Sequence, residues 1–287
     1  MRVVTFNIRS SVVGSSGIYI YNNNVAGSSP VAVVTPDDSV PDGTGKFTSF
    51  GDPSLSGNLV AFVGIGGNGE NGIYTKNIYI RGIRPLGFIV DINTAIPGGT
   101  GNFKGFDAPS LSGNKVAFLG SDSNGLQGIY TGEIGDEPNI VADTSTPIPG
   151  GTGKFTSFEN PSLSGNWVAF LDVDGNSRGI YVDRLDVDQN SMLKIIATSD
   201  VLDGKTITGL SFGHEGLSED KLAFVASFSD GSSGIYKAEI ATAKDQCKKS
   251  GHIRFSFKNQ GQCIQFVDNH NQGGKHDQGD NHGRRDK

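Results

Sequence analysis

The sequence lacks the features that usually announce a membrane protein, a nucleic-acid binder or a catalyst. No apolar stretch is long enough to span a bilayer, and the start, Met1-Arg-Val-Val-Thr-Phe-Asn7, has no apolar core of a signal peptide. Charge is modest and acidic, with a formal net of −6. No basic stripe interrupts it, which argues against a nucleic-acid partner. There is no Gly-x-Ser-x-Gly elbow and no glycine loop ending in Gly-Lys-Ser/Thr. Stretches with 3.6-residue apolar spacing are also missing. The 42 glycines among 287 residues point the same way, because each interior glycine costs a helix about 1 kcal/mol relative to alanine. Cysteine is scarce: Cys247 and Cys263 are the two in the chain.

Repetition dominates what is present. Pro53-Ser-Leu-Ser-Gly-Asn-Leu-Val-Ala-Phe62 returns as Pro109-Ser-Leu-Ser-Gly-Asn-Lys-Val-Ala-Phe118 and as Pro161-Ser-Leu-Ser-Gly-Asn-Trp-Val-Ala-Phe170. A looser copy is Glu215-Gly-Leu-Ser-Glu-Asp-Lys-Leu-Ala-Phe224. A second marker, Gly-Ile-Tyr, begins at Gly17, Gly72, Gly128, Gly179 and Gly234. A third, Pro-Asp/Gly-Gly-Thr-Gly, begins at Pro41, Pro97 and Pro149. A fixed period of roughly 50–55 residues makes the repeat, and not the length, the guide to architecture.

Each period predicts four short strands. In the third complete copy they fall near Phe155–Leu163, Trp167–Leu171, from Gly179 to Val182, and near Leu193–Ala197. Glycine and asparagine supply the tight turn between the first two. The second strands are apolar throughout, as in Leu59-Val-Ala-Phe-Val63 and Leu222-Ala-Phe-Val225. A strand with one wet face alternates; a continuous run implies cover on both faces. Small sheets stacked around an axis give that cover, so the expected fold is all-β: a β-propeller of four-stranded antiparallel blades with about five units. The first unit begins with Val3-Val-Thr-Phe6 at the second-strand position, and the last lacks a clear fourth strand. Two arrangements stay open: a ring closed by strands from both ends, or a stretch of a six- or seven-bladed parent.

The Pro-Ser-Leu-Ser-Gly-Asn-x-Val-Ala-Phe motif with its following Gly-Ile-Tyr resembles the WD40-like repeat of TolB-type β-propellers. It departs from that pattern by lacking Pro-Asp before the glycine and an aromatic residue before the serine. The resemblance covers about residues 1–240 and implies a fold; it carries no catalytic residues, because that fold serves many functions.

Cys247 precedes Ile253-Arg-Phe-Ser-Phe257 and Cys263 lies in Gln262-Cys-Ile-Gln-Phe-Val267, two alternating stretches joined by Lys258-Asn-Gln-Gly261. They read as a β-hairpin stapled by a Cys247–Cys263 bridge, which the chain-entropy argument values at about 3 kcal/mol. The segment is similar to a short C-terminal module of secreted bacterial proteins, sharing the core Phe257-Lys-Asn-Gln-Gly-Gln-Cys263. Ser250 stands where the module has glycine and His252 where it has tryptophan. The resemblance implies export and an extracellular or cell-surface location. The expected domains are therefore propeller repeats over 1–243, the stapled hairpin over 244–267 and a disordered polar tail over 268–287.

Candidate chemistry is thin. Asp172, Asp174 and Asn176 have the oxygen-rich look of a calcium loop without its distant glutamate, and a plain blade-edge turn is the preferred account of them. His270, His276 and His282 sit in the polar tail, and His214 has no partner identifiable from sequence. Ser56, Ser112 and Ser164 lie in turns with no histidine placed to activate them. The Pro-Gly-Gly-Thr-Gly loops look like inter-blade connections, or at most a repeated ligand surface. Asp52, Asp107 and Glu159 lie at or just before the Pro-Ser motif, where acids can ring a channel mouth. Two functions follow. The first is a non-catalytic exported scaffold that binds glycan or a surface protein. The second is a polysaccharide-active enzyme using those acids.

Overall fold

The computed structural model describes residues 3–8, 17–22, 29–78, 86–187, 191–242, 244–248 and 260–271. The protein is a β-propeller, and its described residues form five antiparallel sheets, called here blades 1 to 5. Blade 4 shows the complete plan: an inner strand Phe158–Ser164, then Trp167–Asp174, Ser177–Arg184 and an outer strand Leu193–Ala197. In blades 2 and 3 the inner strand is split, as Phe47–Phe50 with Ser54–Ser56 and as Gly105–Phe106 with Ser110–Ser112. Blade 5 has a split inner strand, Lys205–Ser211 with Leu217–Ser218, then Lys221–Phe228 and Ser233–Glu239. Blade 1 comprises Val3–Ile8, Gly17–Asn22 and Val31–Val34. Its Phe6 pairs with Tyr19 in the register of Phe62 with Tyr74, so its first strand does occupy the second-strand position. Among the described residues no strand of blade 1 pairs with blade 5.

The motifs have separate physical jobs. The Ser-Gly-Asn turn is a two-residue hairpin, Ser164 facing Trp167 with Gly165 at φ +57°, a conformation that costs L-residues about 1–2 kcal/mol. Glu219 occupies this position in blade 5, at φ +55°. In Gly-Ile-Tyr the tyrosine ring and the outer strand leave no room at the glycine. A methyl group on Gly128 would lie 2.6 Å from the Ala142 carbonyl oxygen and 3.0 Å from the Tyr130 hydroxyl. The isoleucines Ile73, Ile129 and Ile180 are fully buried toward the next blade. Each tyrosine joins its own blade's phenylalanines edge-on, as in Phe103–Tyr130 at 5.0 Å and 88°. Burial pushes the Tyr181 phenol up to about 12 and raises those of Tyr74 and Tyr130.

Blades meet by unlike faces. The small residues of one blade receive the aromatic side of the next, as Ala117 and Ile129 receive Phe155, Phe158, Phe170 and Tyr181. The serines of the motif then fasten the inner strands. Ser54, Ser110 and Ser162 accept the backbone N–H of Leu111, Leu163 and Leu217, each at 2.9 Å. Ser56, Ser112 and Ser164 accept those of Gly113, Gly165 and Glu219 at 2.9, 2.9 and 2.8 Å. The arc turns far enough that the Ser54 hydroxyl donates to Glu215 Oε1 of blade 5, 2.5 Å away.

Two expectations need correction. Leu222-Ala-Phe-Val225 is not covered on both faces: Lys221–Phe228 alternates exposed and buried, because among the described residues no further sheet packs on it. The second half of the expected C-terminal hairpin is also not a strand. Gln260–Asn271 is an α-helix, which takes in residues 262–267 and the first residues of the expected tail. The i, i+4 pair Cys263 and Val267 is fully buried in the blade 4–blade 5 cluster. Apolar residues at 263, 264 and 267 suit one side of a helix better than the alternation of a strand. The expected first hairpin strand, 253–257, and residues 272–287 lie outside the described residues. A disulfide joins Cys247, at the end of a 3-10 turn Lys244–Cys247, to Cys263 of the helix.

Removing the buried acceptor in Ser110→Ala should cost about 1–3 kcal/mol, since Leu163 N–H loses its partner without gaining water. The same change at Ser112, whose bond is solvent-exposed, should cost less than about 1 kcal/mol. Glu219→Gly should stabilise by up to about 1 kcal/mol by relieving the left-handed backbone. Urea titration reads all three. Serine at both Cys247 and Cys263 should lower the melting temperature, since about 3 kcal/mol of loop-closure stabilisation is removed; an unchanged midpoint would show that the bridge does not bear on the fold.

Candidate functional site

Most residues singled out from sequence are occupied structurally. The hydroxyl oxygens of Ser56, Ser112 and Ser164 accept inter-blade bonds, as above. Glu159 forms an ion pair with Arg178 at 2.9 Å. Asp107 accepts the backbone N–H of Ala108 at 2.7 Å, and Asp52 and Asp107 are exposed. Asp172 is buried, and burial raises its pKa, with the nearby Asp174 adding to the rise. Its partners in the calcium reading, Asp174 and Asn176, are exposed at the end of a hairpin whose Gly175 has φ +58°. Among the described residues no three His, Cys, Asp or Glu side chains cluster as a metal site. His276 and His282 lie outside the described residues, and His270 falls in the helix. In the first glycine loop, Thr44 and Gly45 donate backbone N–H groups to Glu70 Oε1 at 3.1 and 2.9 Å. Hydrogen bonds from Glu70's own N–H and from those of Asn68, Gly45 and Thr44 hold its carboxyl below the usual range.

Sequence reasoning missed Glu215. It takes the place of Pro53, Pro109 and Pro161, and besides meeting Ser54 it lies 3.8 Å from His214 Nε2. The break in the repeat at that position was the available signal.

The open concave surface lies between blades, on the rim that carries the Ser-Gly-Asn turns. The cleft between blades 3 and 4 has a volume of about 870 Å³, with Lys115, Thr131 and Asn139 on one side and Asp183, Ser191 and Met192 on the other. Between blades 2 and 3 a smaller one, about 390 Å³, is lined by Leu59, Thr75, Asn114, Glu133 and Ile134. Between blades 4 and 5 a third, about 550 Å³, is lined by Trp167, Arg184, Glu219, Asp220 and Lys221. These clefts share a feature of the repeat. Leu59, Lys115 and Trp167 occupy the one variable position of Ser-Gly-Asn-x-Val-Ala-Phe, and Lys221 the equivalent position of the looser copy, each at the start of the second strand.

Polar groups in the clefts are held in place. Arg184 N–H donates to Asp183 Oδ1 at 2.9 Å, and the Ser191 hydroxyl donates to the same oxygen. Burial raises the Asp183 pKa, opposed in part by these two bonds. Arg184 faces both neighbouring clefts, stacked 5.4 Å from the Trp167 ring and paired with Asp186 at 2.6 Å. Thr75 Oγ1, in the lining of the blade 2–blade 3 cleft, is buried without a hydrogen-bond partner among the described residues.

The fold and these clefts define a β-propeller with repeated inter-blade recesses. The chain belongs to the family of unknown function DUF7453, whose model matches residues 10–242. No curated protein matches its sequence. Among solved structures it is similar to a puromycin-hydrolyzing peptidase of Mycobacterium tuberculosis, with 12% identity over 82% of this chain and a TM-score of 0.41. It is similar to TolB from Acinetobacter baumannii, with 17% identity over 80% and a TM-score of 0.31. A third is the BP39L lectin of Burkholderia pseudomallei, with 12% identity over 79% of this chain, 75% of the lectin and a TM-score of 0.35. The chain spans 42% of the peptidase and 61% of TolB.

Asp183→Asn isolates the cost of the buried carboxylate. A raised acid pKa means the folded state holds the proton more tightly than the unfolded state. Asp183 therefore costs stability increasingly as pH rises through the window above its ordinary value of 3.8. The variant should gain stability relative to wild type as pH rises above about 4, followed by urea titration at each pH; a difference that is flat with pH would refute the assignment.

Proposed function

We propose that this protein is an exported, non-catalytic β-propeller that binds glycan in its inter-blade clefts. One observation carries the reading: the motif's variable position lines successive clefts on a single rim, while the repeated serines are consumed in holding blades together. A cleft mixing an apolar flank with an amide, a hydroxyl and a carboxylate suits a sugar ring, which offers a C–H face and hydroxyls at its edge. The blade 3–blade 4 cleft has the room and the fixed acceptor, Asp183. Binding of a surface protein through the same rim is the alternative ligand. Export is supported by the Cys247–Cys263 bridge, which suits an oxidising compartment, and by the likeness of residues 247–266 to a module of secreted bacterial proteins.

A glycan array probed with the whole protein tests this directly. Binding is expected to fall at least about tenfold, some 1.4 kcal/mol, in Asp183→Asn and in Lys115→Ala, with melting temperatures near or above wild type. Silence across the array, or binding untouched by either substitution, would refute the assignment.

A further inference from the structure

The Pro-Asp/Gly-Gly-Thr-Gly loop leads into the inner strands of blades 2, 3 and 4, and its three copies have one shape. Val40, Ile96 and Ile148 donate their N–H groups to the carbonyls of Gly45, Gly101 and Gly153 at 3.0, 2.9 and 3.0 Å. Asp42, Gly98 and Gly150 all take a left-handed backbone, at φ +54°, +78° and +72°. The N–H groups of the following threonine and glycine stay outside this ladder. Successive backbone N–H groups held in this way form a concavity for an anion. In blade 2 the concavity is filled by the chain's own carboxylate. Thr44 and Gly45 both donate to Glu70 Oε1, at 3.1 and 2.9 Å, and Asn68 N–H donates to Oε2 at 2.9 Å.

The other two copies lack that carboxylate. In blade 3, Leu126 takes its place: Leu126 Cδ2 lies 3.0 Å from where a β-carbon on Gly99 would stand, as Glu70 Oε1 lies 3.0 Å from that of Gly43. Asp122, beside it, accepts the N–H groups of Asn124 and Leu126 at 2.8 and 2.9 Å. Blade 4 has neither cover. Its hairpin is one residue shorter, with Gly179 nine residues after Phe170 where Gly72 and Gly128 come ten after Phe62 and Phe118. The atoms nearest a β-carbon on Gly151 belong to Ile148 of the same loop, and one on Gly153 would meet nothing within 4 Å. The N–H groups of Thr152 and Gly153 find no acceptor among the described residues. Lys154 follows directly, exposed and in no ion pair among the described residues. Of the hairpin's acids, Asp172 is buried, with Thr156 N–H on it at 3.4 Å, and Asp174 stands at the tip opposite Ser177. The other half of this loop, Pro147 to Gly150, lines the blade 3–blade 4 cleft.

We propose that the backbone N–H groups of Thr152 and Gly153, with the Lys154 ammonium beside them, bind the carboxylate of a uronic acid in an acidic glycan. The class of ligand rests on the glycan reading above; the site rests on blade 2, where the same two groups hold Glu70. An ionised acceptor makes the stronger kind of hydrogen bond to backbone N–H groups. A polyuronate carries a carboxylate on every sugar, so one sugar in the cleft leaves its neighbour's carboxylate free for this loop.

Nitrogen–proton amide correlation spectra of the whole protein test this, with tetragalacturonate and its neutral galactose counterpart as probes. The signals of Thr152 and Gly153 should move saturably with the acidic probe and stay still with the neutral one. Those of Thr44 and Gly45, held by Glu70, and of Thr100 and Gly101, beside Leu126, should move with neither. Lys154→Ala should weaken binding of the acidic probe about threefold, the size expected of an exposed charge. Glu70→Ala should empty the blade 2 copy, so that Thr44 and Gly45 respond as well. No saturable movement at Thr152 and Gly153, equal movement with the neutral probe, or equal movement at Thr100 and Gly101 would overturn the proposal. So would unchanged binding in Lys154→Ala, or a folded Glu70→Ala whose Thr44 and Gly45 ignore the acidic probe. Should Glu70→Ala fail to fold, the other titrations decide. The signals of Thr131 and Ser191 separate this site from the cleft. If they move with both probes while Thr152 and Gly153 stay still, glycan binding in the cleft holds and this site falls. If Thr152 and Gly153 alone move with the acidic probe, this site holds and the cleft reading falls.

Discussion

The inner strands are the demanding part of this fold. One edge of each pairs with the second strand of its own blade; at the Ser-Leu-Ser stretches and at Leu217–Ser218 the other pairs with no strand among the described residues. Buried N–H groups without partners are rarely tolerated, and open edges invite foreign strands. The paired serines solve both problems. Ser110 and Ser112 of blade 3 satisfy Leu163 and Gly165 of blade 4, and the same step recurs from blade 2 to 3 and from blade 4 to 5. The spacing of two places both hydroxyls on one side of the strand, aimed at alternate N–H groups of the neighbour. Apolar packing alone would let blades slide past each other, since it is non-directional; the hydroxyls fix the angle and height at which each blade meets the next.

That constraint explains why so much of the repeat is invariant across copies of the same chain. The first glycine admits a left-handed turn. The alanine and isoleucine form the receiving face, the phenylalanine and tyrosine the inserting face, and the glycine before the isoleucine lets the tyrosine ring lie against the sheet. What is left free is the residue after Ser-Gly-Asn, which starts the second strand at the rim. It is Leu, Lys, Trp and Lys in successive units. Diversity confined to one rim, on a scaffold held rigid elsewhere, is how a repeated fold acquires different recesses without changing its core.

The architecture was legible because burial on both faces writes itself as unbroken apolar runs, and because glycine, proline and asparagine mark the turns. In blade 4 the expected outer strand, Leu193–Ala197, has the observed bounds. Legibility failed where a residue's role depends on a neighbour distant in sequence. Ser112 reads as a turn residue until Gly165 N–H is seen 2.9 Å away. Glu159 reads as a free acid until Arg178 is found against it. Residues 262–267 satisfy both periods, alternating by one count and spaced by four by another. The tertiary environment decided, by burying Cys263 and Val267 under blade 5. Lys221–Phe228 has the same apolar character as its cousins and a different fate, because cover comes from a neighbouring sheet and among the described residues none packs on that side of blade 5.

Glu215 and Asp183 show where asymmetry enters an otherwise repetitive body. Glu215 replaces a proline, and the carboxylate it brings reaches the hydroxyl of Ser54, three blades back along the chain. Ser54 thereby uses its lone pair on Leu111 and its proton on Glu215, so one side chain ties the sequential ladder to a non-sequential contact across the axis. Asp183 replaces residues as different as Lys76, Gly132 and Ala238 at the equivalent strand position. Its carboxylate is carried into a partly desolvated recess, where among the described residues two hydrogen bonds offset the burial. A carboxylate whose burial disfavours its charge, placed in the blade 3–blade 4 cleft where the other blades carry Lys76, Gly132 and Ala238 at the equivalent position, is what a recognition site requires and what a purely structural repeat would discard.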